Sequence, residues 1–146
     1  MTNPDAFFAF FTEIGILAQL SQTQFERLMP AGMTLAQFTV LNHCVRVSDG
    51  RSPATLARAF QVTKGTMTST LQRLEQKGLV LIHSDPRDGR SKIVHITEAG
   101  RAMREACISA TGPWANDLLL KCDPGEISEL IPRLAALRKI LDAERD

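Results

Sequence analysis

The chain has no tyrosine, only three histidines and only three cysteines among its 146 residues. Cys44, Cys107 and Cys122 form an odd, widely spaced set. That excludes a disulfide framework and the paired spacing of a zinc site. A reducing, cytoplasmic setting fits such a set. The sequence sets no nucleophile beside a base, offers no glycine loop to cradle a phosphate, and pairs no carboxylates for acid–base work. These absences argue against an enzyme, and no cofactor is expected. Internal repeats and low-complexity runs are missing too. The apolar opening, PDAFFAFFTEIGILAQL, has no basic residue before it and no clear small-residue cleavage site, so it is not read as a signal peptide. With Asp5 and Glu13 inside it, the stretch is also too short and too charged to span a membrane. No membrane partner is expected.

What is present is a core's worth of apolar residues and an uneven charge. Hydrophobic residues make up 44% of the chain and charged residues 23%, ordinary values for a globular domain. The net charge of +1 hides a division. From Arg51 to Arg104 there are ten basic residues and four acidic ones. The remainder holds seven basic and twelve acidic. A basic centre between acidic ends suits a nucleic-acid-binding module set within helical extensions.

The pattern predicts a mainly α-helical chain with one small β-hairpin. A first helix runs from about Pro4 to Met29, capped by Asn3. Phe7, Phe11, Ile14, Leu17 and Ala18 share one face, and Phe8 and Phe10 widen it. A helix apolar on more than one face needs burial on more than one face, here by a partner subunit. Pro30 and Gly32 end this helix. Thr34 caps the next, and Gln37 completes a capping box by reaching back to it. Leu35, Phe38, Leu41 and Val45 face inward, and Asp49-Gly50 ends the helix. Ser52 caps a third helix, SPATLARAF, and Thr63 a fourth, TKGTMTSTLQRLEQKG, which Gly78 stops. LVLIH and KIVHIT are the hairpin strands, with Asp88-Gly89 as their turn and Pro86 stiffening the approach. Thr97 caps a fifth helix, kinked or broken at Gly112-Pro113. Asp123 caps a last helix carrying a seam of Ile127, Leu130, Ile131, Leu134, Leu137 and Leu141, with Pro132 kinking it.

Two short helices, a tight turn and a hairpin describe a winged helix-turn-helix. Leu56, Ala57, Val62, Met67, Leu71 and Leu74 face inward. The opposite side of the fourth helix offers Thr63, Lys64, Gly65, Thr66, Thr68, Ser69 and Gln72. These are short, polar, and neutral or basic, as base edges and phosphates require. Thr34, Ser52 and Arg73 are candidate backbone-phosphate contacts. Gln61 stands where such turns often carry glycine. A left-handed backbone there costs glutamine about 1 kcal/mol, unless the turn takes another shape.

The stretch LQRLEQKGLVLIHSDPRDGRSKIVHITEAGRAM resembles the MarR family of bacterial transcriptional regulators. The matching segments are Leu74–Val80, the wing from Asp85 to Arg90, and Ile96-Thr97-Glu98-Ala99-Gly100. Upstream, GMTLAQFTVL resembles the family's Gly-Leu-Thr-x-x-Gln-Phe segment. The resemblance implies one domain over residues 1–146. Residues 1–31 and 98–146 would be dimerisation helices flanking a DNA-binding lobe, 32–97. It implies a homodimer through the first, fifth and sixth helices, bound to a pseudo-palindromic double-stranded operator and associated with the nucleoid. The fourth helix would enter the major groove. Arg87, with Asp88 and Arg90, would form the DNA-contacting wing, and Asp85 would pair with Arg90 to shape it. A small-molecule effector would release the protein, bound near Ile14, Leu17, Phe38 and Asn42. Without tyrosine, that pocket must find its hydroxyls in serine or threonine. Ser69 departs from the arginine or lysine of many relatives, which puts one DNA contact in doubt.

Two alternatives differ in kind. One is a winged-helix module whose basic face meets an acidic protein. The other is a regulator switched by a thiol, although no cysteine lies in the first helix. His83 and His95 are expected to face each other across the strands. A metal there would lack a third ligand, so a solvated pair is the simpler expectation.

Overall fold

The computed structural model describes residues 3–145. Its elements run α1 (Pro4–Leu28), α2 (Leu35–Arg46), α3 (Pro53–Ala59), α4 (Lys64–Gln76), β1 (Val80–Asp85), β2 (Asp88–Ile96), α5 (Glu98–Lys121) and α6 (Pro124–Ala143). The fold is mainly helical with one antiparallel hairpin, as the sequence pattern requires. The chain divides into two compact units, one ending at Thr111 and the other starting at Gly112.

In the first unit the core gathers where α2, α3, α4 and the hairpin meet. Val40, Leu41, Leu56, Leu71, Leu74, Val80 and Val94 are fully buried there. Leu35, Phe38, Val45 and Val62 pack against it from the half-buried margin. Helix starts follow local chemistry. The side chains of Asn3, Thr34, Ser52 and Thr63 each accept a backbone N–H of the turn they open.

The expected capping box at α2 forms only in half. Thr34 Oγ1 accepts from Gln37 N at 3.1 Å, but the Gln37 side chain turns into the core. There its Oε1 accepts from Lys77 Nζ at 2.6 Å, and Lys77 also donates to the Gly32 carbonyl. A buried amide oxygen needs a donor, and the end of α4 supplies one. Glu26 of α1 takes over part of the capping, accepting from Leu35 N at 2.9 Å.

The turn between α3 and α4 is left-handed at Gln61, with φ of 57°. Val62 N donates to Ala57 O and Gln61 N to Arg58 O, the Schellman arrangement that usually places glycine here. Gln61→Gly is therefore expected to raise stability by about 0.5 kcal/mol, the relief of αL strain less the extra chain entropy. Urea denaturation checks this; an unchanged or lower midpoint contradicts it. The end of α4 repeats the same bonds with Gly78 at φ of 72°.

The wing differs from expectation at its tip. The two turn residues are Pro86 and Arg87, and Asp88-Gly89 already lies in β2. Asp85 pairs with Asp88, whereas Ser84 pairs with Lys92, so Gly89, Arg90 and Ser91 bulge from β2. Neither turn residue has positive φ, so the primed turn favoured by Asp-Gly is absent. Pro86 fits an ordinary turn at its first central position, and the bulge absorbs the mismatch in twist. The expected Asp85–Arg90 pair is not formed. Asp85 Oδ1 instead accepts from Arg87 N at 2.9 Å, and Asp88 Oδ1 from Arg90 N at 3.1 Å. Short acidic side chains hold the tip by bonding backbone N–H groups two residues on.

His83 and His95 are not direct partners either; Leu81 faces His95 and His83 faces Ile93. Their rings stack on the diagonal, with centroids 5.1 Å apart. His95 Nδ1 lies 3.5 Å from Asp49 Oδ2, while Asp49 Oδ1 accepts from Ile96 N. Gly50 N and Arg51 O add two bonds to Val94, tying the loop after α2 to the wing. Among the described residues no group of three His, Cys, Asp or Glu side chains is arranged to hold a metal.

Helix α5 is continuous through Gly112-Pro113, and α6 through Pro132, so neither proline breaks its helix. Among the described residues no helix is long and apolar enough to cross a membrane.

Candidate nucleic-acid interface

Helix α4 presents two opposite faces. Met67, Leu71 and Leu74 anchor it in the core. Lys64, Gly65, Thr66, Thr68, Ser69, Gln72 and Arg73 are exposed on the other side. The helix is positioned by its ends as well as its buried face. Thr63 Oγ1 accepts from Thr66 N and donates to Thr66 Oγ1 at 2.9 Å, so both hydroxyls are oriented at the start of the exposed face.

Two of the grooves beside α4 gather expected DNA contacts from more than one element. One, of about 440 Å³, brings together Thr34 from the start of α2 and Gly65, Thr66, Ser69, Thr70 and Arg73 from α4. The other, of about 280 Å³, lies between the start of α3, α4 and the wing, where Ser52, Lys64, Thr68 and Arg90 meet. Most residues expected from the sequence to contact DNA thus fall into two sets along one helix. Thr63 and Gln72 line neither groove. Arg87 and Asp88 sit at the wing tip, exposed. Among the described residues Arg87 forms no ion pair. Sequence reasoning missed Thr70, Ser91 and Lys92 as groove residues. For Lys92 a signal existed, because it stands in the same alternating row as the buried Val94 and Ile96.

The residues expected near an effector are less concentrated. Ile14 is half-buried on α1, Leu17 is exposed, and Phe38 is half-buried on α2. Asn42 Oδ1 accepts from Arg104 Nε at 3.0 Å, and Arg104 pairs with Glu105 at 2.6 Å. Arg104 is largely shielded, with its side chain 12% exposed.

Comparison with known proteins decides the family. Residues 31–91 match the model of the MarR family. The repressor NicR of Pseudomonas putida is 32% identical over 116 residues, 78% of this chain and 70% of NicR. The chain belongs to the MarR family. The multiple antibiotic resistance protein MarR of Escherichia coli is 36% identical over 96 residues, 66% of each chain. The transcriptional activatory protein BadR of Rhodopseudomonas palustris is 37% identical over 76 residues, and the match spans 51% of this chain but only 43% of BadR. Among solved structures, the regulator BldR of Sulfolobus solfataricus superposes with a TM-score of 0.80 at 26% identity, over 98% of this chain and 99% of BldR. A mutant Escherichia coli MarR complexed with operator DNA gives 0.79 at 25% identity, over 94% of this chain and 99% of that one. This MarR-family chain is thus grouped with transcriptional regulators, not enzymes.

Proposed function

We propose that this protein is a homodimeric transcriptional regulator that binds a pseudo-palindromic operator, acting as a repressor that a small molecule releases. The observation that carries the reading is α4, whose exposed residues from Lys64 to Arg73 are neutral or basic and lie between two grooves. A carboxylate on that face would be repelled by phosphate, and none is present between Lys64 and Arg73. The likeness to MarR complexed with operator DNA supports the same reading. In it Thr63, Lys64, Gly65, Thr66, Thr68, Ser69 and Gln72 meet the major groove, and Thr34, Ser52 and Arg73 meet backbone phosphates. Arg87, Asp88 and Arg90 belong to the wing, in line with a flanking minor groove whose narrowness concentrates negative potential.

The dimer rests on apolar surface that a single chain leaves in water. No residue of α1 is buried, and Phe7, Phe8, Phe10, Ile16, Leu17 and Leu20 are exposed. In the second unit Leu120 is 86% exposed, and Leu130, Ile131 and Leu141 are exposed along α6. Patches of this extent mark an interface. Two copies related by a twofold axis would set their α4 helices one turn of DNA apart, about 10 base pairs. Footprinting on the neighbouring intergenic DNA tests the proposal. It should show two protected half-sites at that spacing; protection of a single half-site or none contradicts it. Residence at such operators would place the protein on the nucleoid.

An effector acts only if it prefers the arrangement unfit for DNA. Ile14, Leu17, Phe38 and Asn42 remain the proposed surroundings, with Arg104 beside Asn42 as an added cation. Redox switching through the buried thiols is disfavoured. Burial first, then the charge of Asp49 and its hydrogen bond, push the Cys44 thiol up to about 11. Burial likewise raises Cys107, against the charge of Lys77. Both stay protonated, and the thiolate is the reactive form. Cys44 and Cys107 should resist alkylation at pH 8 until the protein is unfolded; rapid native labelling of either would contradict this. Because the fold raises Cys44 above the ordinary 9.0, its contribution to stability is complete below pH 9 and is lost as pH rises towards 11.

A further inference from the structure

We propose that Lys92 is a DNA-backbone contact that closes a three-cation clamp on adjacent phosphates of the bound duplex, an inference that rests on the regulator reading above. On β2, Ile96 and Val94 point into the core, and strand alternation sends Lys92 the same way. The core has ended at that level. Lys92 therefore emerges into the groove between α3, α4 and the wing, where Lys64 and Arg90 also stand. The bulge of Gly89, Arg90 and Ser91 puts Arg90 beside it, although the two are not alternate residues of a regular strand.

The groove's lining includes Ser52, Thr68 and Ser91 but no carboxylate. The nearest acid in sequence, Asp88, is turned to Arg90 N at 3.1 Å and Ser91 Oγ at 3.2 Å. Among the described residues none of the three cations forms an ion pair. The ammonium of Lys92 meets only the neutral Ser84 Oγ, at 3.4 Å. Three like charges lining one groove that holds no carboxylate repel one another, and anions bound there offset that repulsion. The Thr68 hydroxyl, which lines the same groove, can supply a donor for a phosphate oxygen. The groove adjoins the exposed face of α4, so a duplex lying on that helix brings its backbone phosphates to it. An inward-pointing lysine can also serve only to discourage strand-edge pairing, and that role needs no DNA.

The two roles separate in a salt titration of duplex binding, using the intact protein and its footprinted operator. Each neutralised phosphate contributes about 0.9 to the slope of log K against log salt. Lys92→Gln should lower the slope by about that amount per protomer and weaken binding about tenfold per protomer at 0.1 M salt, converging with the parent protein near 1 M. Lys92→Arg should keep slope and affinity. Ser84→Ala, which removes the hydrogen bond and keeps the charge, should keep both as well. Circular dichroism and a melting curve confirm that Lys92→Gln is folded. A folded Lys92→Gln with the parent slope overturns the clamp. A loss of affinity in Ser84→Ala equal to that in Lys92→Gln also overturns it, since shape and not charge would then be responsible. If the parent protein itself shows no salt-dependent binding, the regulator reading fails first.

Discussion

Gly100→Ala is expected to destabilise the protein by at least about 2 kcal/mol. A Cβ at Gly100 would lie 2.1 Å from the Leu79 carbonyl oxygen and 2.7 Å from Ile96 Cγ1. The oxygen is backbone and cannot swing aside, because it accepts from Thr97 N at 3.1 Å. Thr97 is fixed in turn, donating its hydroxyl proton to Gly78 O and accepting from Gly100 N. The start of α5 is thus seated directly on the chain that leaves α4. Alanine offers about 1 kcal/mol of helix propensity over glycine. The overpacking penalty, about 3 kcal/mol or more for a contact this short against backbone, outweighs it. Urea denaturation measures the difference, and a loss under 1 kcal/mol would show that the seat can yield. Since α5 leads on to the proposed dimer surface, the same substitution should also weaken association.

Arg87→Ala is expected to weaken DNA binding strongly. Arg87 is the second central residue of the wing turn, and its N–H is held by Asp85, so its backbone is fixed while its guanidinium is exposed. Binding then has only the side chain, not the backbone, left to order. Removing it from both copies should weaken operator binding at least about thirtyfold, at about 1–3 kcal/mol for each specific arginine contact. The salt slope should fall by about two units for the dimer. Fluorescence anisotropy at several salt concentrations reads both quantities. Unchanged affinity and slope would remove Arg87 from the contact surface.

Local chemistry was legible in the sequence wherever a residue acts on its own turn. Asn3, Ser52, Thr63, Thr97 and Asp123 cap helices because an acceptor and N–H groups two or three residues on are enough. The inward face of α4 was legible for a similar reason, since 3.6-residue periodicity needs no partner to be read. Gln37 was misread as a capping residue because its real partner, Lys77, is forty positions away. The wing tip was misread because Asp88-Gly89 is a strong turn signal in isolation. Pro86 and the bulge prevail, since the bonds of Asp85 and Asp88 to backbone close the turn two residues earlier. Gln61 was read as a position of strain, but which way the turn would go depended on the packing of α3 against α4. Alternation places Lys92 in the row of Val94 and Ile96, but that the core ends before it and a groove opens there depends on tertiary packing.

Sequence-specific DNA binding through α4 and the wing is the activity proposed for this protein. Its most direct test is a competition measurement at physiological salt, with the operator fragment against random duplex of equal length. The operator should be preferred at least about a thousandfold. A ratio near one, with the protein folded and dimeric, would contradict it.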